Sequence, residues 1–151
     1  MEVIRKGGIA IELARVLRKK GIVVHEFENV GQEYREKWVH AFSDSQFDQH
    51  QYLTEFLWYM FSAEKIDCLI RKEAALSFDK VNKCYCYIFF QESDDVLQVE
   101  YASSMNAKDL LNVTGEYCDV YVVDKGFNWT YVIPHEEDWG PYFHRKKSRS
   151  D

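Results

Sequence analysis

The sequence predicts an α+β domain in which N-terminal helices pack on a mostly antiparallel sheet formed largely by the C-terminal half. Three observations point there. Apolar residues recur at helical spacing as far as Asp79, runs rich in β-branched and aromatic residues follow from Lys83, and short polar turns separate those runs. With 151 residues, 46% hydrophobic and 29% charged, the chain fits one folded unit with an ordinary core. The expected division is a single globular domain over residues 1–144 and a basic, disordered tail over 145–151.

Ile9, Leu13, Val16 and Leu17 share one helical face, and Lys19-Lys20-Gly21 supplies the cations and the glycine that suit a helix end. Ile22 to Phe27 reads as a strand. Tyr34, Trp38, Ala41 and Phe42 form the apolar stripe of a second helix, with Glu33 and Glu36 in its first turn. Tyr52 to Phe61 is apolar nearly all round, so this third helix is expected at the centre of the fold. A short helix follows at Lys72–Asp79.

Lys83–Gln91 and Val96–Ala102 flank Glu92-Ser93-Asp94-Asp95 as a hairpin. Asn106–Asn112 is a short helix, with Asn106 as N-cap and Asp109 three residues on. A second hairpin, Cys118–Val123 with Asn128–Ile133, turns at Asp124-Lys125-Gly126-Phe127. Gly140-Pro141-Tyr142-Phe143 is expected to close the sheet as an edge, where proline is tolerated. If the 106–112 helix crosses the sheet, strands 96–102 and 118–123 run parallel. The acidic loop Glu92/Asp94/Asp95 and the run Glu136/Glu137/Asp138 then lie at one end. Without the crossing they lie at opposite ends.

Charge is unevenly spread. The net charge is −6, with +4 on residues 1–20 and +3 on residues 145–151, which leaves −13 on residues 21–144. Such a body repels nucleic acid and attracts basic proteins. Aromatic residues make up 16%, enough that some should stay half-exposed as contact anchors. No stretch approaches a membrane span, and no apolar signal segment precedes the first helix. The expectation is a cytoplasmic protein with reduced thiols at Cys68, Cys84, Cys86 and Cys118.

Each motif with chemical content has a plainer reading that outweighs it. Cys84-x-Cys86 puts two thiols on one strand face, but no further ligand pair accompanies it, and core packing is the expectation. Ser62-Ala63-Glu64-Lys65 matches the Ser-x-x-Lys of penicillin-recognising enzymes, yet their Ser-Asp-Asn and Lys-Thr-Gly elements are missing. His135-Glu136-Glu137-Asp138 brings together an imidazole and three carboxylates, whose simplest role is a solvated or partner-binding loop. Asp94, Asp95 and Asp124 sit at strand ends, where turn duty competes with catalysis. No cofactor or metal is expected.

Several blocks in order resemble a family of small proteins from Bacillus and related bacteria. They are Phe56-Leu57-Trp58, Phe61 to Lys65, Asp67-Cys68-Leu69, Ser93 to Val96, Ala102-Ser103-Ser104 and Asp109-Leu110-Leu111. The likeness is strongest over Asp119–Lys125 and Phe127–Val132, then His135-Glu136 and Gly140-Pro141-Tyr142-Phe143. That family is a domain of unknown function, so the resemblance implies no activity. In its pattern threonine usually precedes the His-Glu pair, where this chain has Pro134. The ending is also similar, over a shorter stretch, to immunity proteins of bacterial toxin systems.

The leading functional reading is an acidic binding module, immunity-like, that sequesters a basic toxin or enzyme. Its contact residues are expected among Glu92, Asp94, Asp95, Asp124, Trp129, His135, Glu136, Glu137 and Tyr142. The alternatives are a small enzyme using the strand-end carboxylates with His135, and a structural homodimer.

Overall fold

Helix α1 (Gly8–Lys19) buries Ile9, Leu13 and Leu17 on the stripe that the spacing defines. It ends where Gly21 takes φ +83°, with Gly21 N–H on Arg18 O and Ile22 N–H on Leu17 O. That pair of bonds is a Schellman closure, which a Cβ at residue 21 would strain. The remaining elements among the described residues are β1 (Val23–Phe27), α2 (Gly31–Phe42), β2 (Leu69–Ile70), α3 (Arg71–Lys80), β3 (Tyr85–Phe90), β4 (Val96–Glu100), α4 (Ala107–Thr114), β5 (Val120–Asp124), β6 (Trp129–Ile133) and β7 (Tyr142–Arg145). This computed structural model describes residues 8–43, 57–58, 61, 67–114 (backbone alone for 112–114), 118–135 and 140–146.

The seven strands form one sheet in the order β1-β4-β3-β5-β6-β7-β2, every neighbouring pair antiparallel. The fold class is therefore α+β, as the sequence predicts. Because β4 and β5 both run against β3, they run parallel to each other with β3 between them. Helix α4 is the crossover that makes this possible. Its start is a reciprocal capping box: Asp109 N–H donates to Asn106 Oδ1 (3.3 Å) and Asn106 N–H to Asp109 Oδ2 (2.9 Å).

Helices cover both faces. On one, α1, α3 and α4 bury a core with Ile88, Leu97, Val122 and Tyr131, and Phe78 stacks on Tyr131 at 4.3 Å. On the other, α2 and residues Leu57, Trp58 and Phe61 cover Phe89, Tyr121, Val123 and Val132. Double coverage explains why β5 and β6 read as unbroken apolar runs: both of their faces are in core. Of the expected 52–61 helix, only Leu57, Trp58 and Phe61 are described, and all three are buried; the rest, and Ser62–Lys65, lie outside the described residues.

Two expectations are corrected. First, β7 is not the edge. Leu69 and Ile70 pair with Phe143 and Tyr142, and Pro141, which has no N–H to give, instead accepts from Arg71 N–H at 2.8 Å. Second, β3 starts at Tyr85, so Cys84 precedes the strand and is exposed while Cys86 is buried. Lys83, just before the strand, is turned back and buried, 1% exposed. Its ammonium donates to Phe78, Asp79 and Val81 carbonyls at the end of α3, and burial lowers its pKa.

At the open edge, Arg18 donates to Val24 O at 2.7 Å and pairs with Glu26, so one carbonyl of β1 is already occupied. The β3–β4 connection is clamped from α2. Val30 and Gly31 N–H both donate to Asp94 O (3.0 and 2.9 Å). An added Cβ at Gly31 would lie 2.6 Å from Asp94 Cα and 2.7 Å from Ser93 O, both backbone atoms that cannot swing aside. Gly31→Ala is therefore expected to lose ~1–3 kcal/mol in urea unfolding, the usual range for overpacking. An unchanged midpoint would show that the loop stands clear of the helix.

Candidate functional site

The hairpin registers put the 91–95 connection, the start of β5 and the end of β6 at one end of the sheet. Phe90 faces Val120, and Val120 faces Ile133. The chain leaves the sheet here through Pro134 and His135 and returns at Tyr142, which faces Val132. Arg35, from α2, organises this end. Its guanidinium donates to Phe90 O (3.1 Å) and Ser93 O (2.8 Å), and pairs with Asp94 Oδ1 (2.7 Å). Only 12% of the Arg35 side chain is exposed, against 60% of Asp94, so the arginine is structural and the carboxylate is presented to solvent. Asp95 N–H bonds Ser93 Oγ at 3.2 Å and the Ser93 hydroxyl donates to Asp95 Oδ2 at 3.4 Å, a local turn contact around a half-buried carboxylate.

Asp119 lies deeper, 2% exposed, beside the same rim. One of its oxygens, Oδ1, accepts from His135 N–H at 2.5 Å and from His135 Nδ1 at 2.9 Å. A carboxylate only accepts, so Nδ1 carries the hydrogen in this arrangement. Burial pushes the Asp119 carboxyl above its ordinary pKa, and the bonds from His135 pull the other way. The imidazole packs edge-on to Trp58 at 6.2 Å and keeps 29% of its surface exposed. Next to it, Gln91 Oε1 accepts from the Tyr121 hydroxyl and from Leu57 N–H (3.0 Å). The rim is thus a rigid frame carrying outward carboxylates and one oriented imidazole.

Of the residues singled out by sequence, Glu92, Asp94, Asp95 and His135 share this end. Asp124 does not: it faces Cys86 at the opposite end of β5. There its carboxylate accepts from Asn128 N–H (2.6 Å), Asn128 Nδ2 (2.9 Å) and Trp129 N–H (3.1 Å), which is turn duty. Trp129 and Tyr142 are each 4% exposed and serve the core. Glu136 and Glu137 lie outside the described residues. Asp119 and Arg35 were not singled out, although they build the rim. The signal for Asp119 is in the hairpin arithmetic: pairing 120 with 133 brings 119 beside 134 and 135.

Among the described residues, no group of three His, Cys, Asp or Glu side chains could hold a metal ion. The buried thiol Cys86 has its pKa pushed up to about 12 by desolvation, far from a reactive thiolate at neutral pH. No helix among the described residues is long and apolar enough to cross a membrane.

The sequence profile of the domain of unknown function DUF4275 matches residues 11–143, most of the chain. The chain belongs to this family. The match covers both ends of the sheet, the Asp119–His135 pair and the Arg35 clamp, so the rim is part of the family domain rather than an appendage. No curated protein and no solved structure matches the chain.

Proposed function

We propose that this protein is a non-enzymatic binding module that takes a basic protein partner at the acidic end of its sheet, in the manner of an immunity protein sequestering a cationic toxin or enzyme. The observation that supports the reading is the placement of Glu92, Asp94, Asp95 and His135 at one end of the sheet, on a frame held from behind by Arg35 and Asp119. Glu28, just past the end of β1, adds an exposed carboxylate there, since Phe27 faces Val96. Among the described residues, Glu28, Glu92 and Asp95 meet no cationic side chain. Unpaired carboxylates on a rigid rim steer a cationic partner in and hold it at low desolvation cost.

The enzymatic alternative retains one point, an imidazole oriented by a buried carboxylate. It loses the strand-end constellation, because Asp124 stands at the far end and is engaged in its own turn.

The test is capture of a basic partner from the native host at low salt, followed by association kinetics with the purified partner. Association is expected to slow as salt rises, and Glu92→Lys with Asp95→Lys is expected to slow it by about tenfold or more at low salt. A partner whose on-rate ignores both salt and the double variant would overturn the reading.

A further inference from the structure

At the end of the sheet away from the acidic rim, a cavity of ≈ 740 Å³ opens between the 124–128 turn, the approach to β3 and the end of β7. Lys125, Arg145 and Lys146 line it, together with Asn82 and Tyr85. A neighbouring cavity of ≈ 610 Å³ shares Val81 and Arg145 with it and adds Lys80 and Ser77. The two form a groove lined by four cations and two carboxylates, Asp67 and Asp124, with Asp67 on the wall of the smaller cavity.

Arg15, Arg18, Lys20, Arg35 and Lys37 each meet a carboxylate; among the described residues, Lys80, Lys125, Arg145 and Lys146 meet none, and neither do the scattered surface lysines Lys19, Lys72 and Lys108. Asp124, the one carboxylate among the described residues on the wall of the larger cavity, is already hydrogen-bonded by its three turn donors. Two ammonium groups are placed by aromatic rings rather than by counter-charges: Lys125 lies 5.1 Å over Tyr85 and Lys146 5.9 Å over Phe42. Ring contacts position a cation without neutralising it. Lys146 is also anchored through its backbone N–H on Asn128 O at 2.8 Å. Asn82 spends its Oδ1 on Cys84 N–H, so what remains for a ligand is its NH₂, a donor.

We propose that this groove binds a small organic phosphate, with the phosphate group among Lys125, Arg145 and Lys146 and the organic part against Tyr85 and Val81. The volume lies within the range of small-molecule sites. Three unpaired cations with a further donor suit a dianion with several acceptor oxygens better than a single carboxylate. The groove and the acidic rim lie at opposite ends, so either can fail without the other.

The test is an amide chemical-shift titration of the full chain with phenyl phosphate at constant ionic strength, with benzoate and benzyl alcohol as controls. Saturable shifts are expected at Lys125, Gly126, Asn128, Arg145 and Lys146. Lys125→Gln with Arg145→Gln, both exposed positions, should weaken binding by about tenfold or more through loss of charge-assisted contacts. Glu92→Lys with Asp95→Lys should leave it unchanged. Shifts that never saturate, an affinity the groove variants leave intact, or benzoate or benzyl alcohol binding as tightly would each overturn the proposal.

Discussion

Trp38→Ala is expected to destabilise the protein by ~3–5 kcal/mol, the range for removing a fully buried large aromatic. Trp38 is 0% exposed and joins α2 to the sheet. Its ring meets Tyr121 edge-on at 5.3 Å, Phe61 edge-on at 5.7 Å and Phe42 at 5.6 Å. Its indole N–H donates to Thr130 Oγ1 at 2.8 Å, and that hydroxyl donates in turn to Val122 O at 2.9 Å. The truncation leaves both a void among aromatics and a buried hydroxyl without its donor. Trp38→Phe is expected to keep much of the packing but still to lose the bond to Thr130, so its cost should fall between wild type and alanine. Urea unfolding with fluorescence and circular dichroism separates the three proteins. A loss under ~1 kcal/mol for alanine would mean that α2 is not a working layer of the core.

How much of this was legible depends on how local each signal is. The end of α1 and the capping box of α4 are written in adjacent residues, Lys19-Lys20-Gly21 and Asn106/Asp109, and both stand as expected. The two hairpins are equally local, because their polar turns sit between apolar runs. The placement of β2 is not local. Leu69-Ile70 is too short to show any period, and it becomes a strand only because β7, more than 70 residues later, offers its edge. Reading Pro141 as an edge marker therefore located the proline correctly and the edge wrongly.

The rim was half legible for the same reason. Its outward carboxylates are turn residues and stand out, whereas Arg35 looks like any helix-surface arginine until the β3–β4 loop arrives against it. Trp129 and Tyr142 mislead in the other direction. As aromatics near turns they suggest contact anchors, but helices on both faces of the sheet bury them.

Asp119→Ala is expected to cost ~2–4 kcal/mol at neutral pH, because it leaves the His135 backbone N–H and imidazole without their acceptor. Asp119→Asn keeps an acceptor oxygen and should cost less, and comparing it with wild type isolates the effect of charge. Burial raises the Asp119 pKa in the folded state, so the folded protein binds that proton more readily than the unfolded chain does. The stabilisation linked to this proton is fully present below the ordinary aspartate pKa and is lost as pH rises through the folded value. Wild type should therefore gain on Asp119→Asn towards acid and fall back to a plateau above the raised pKa, when unfolding free energies are compared from about pH 3 to pH 8. A difference that instead grew with pH would mean that the bonds from His135 outweigh burial. The rim would then be held by an ionised Asp119, and the imidazole would lean on a permanent charge.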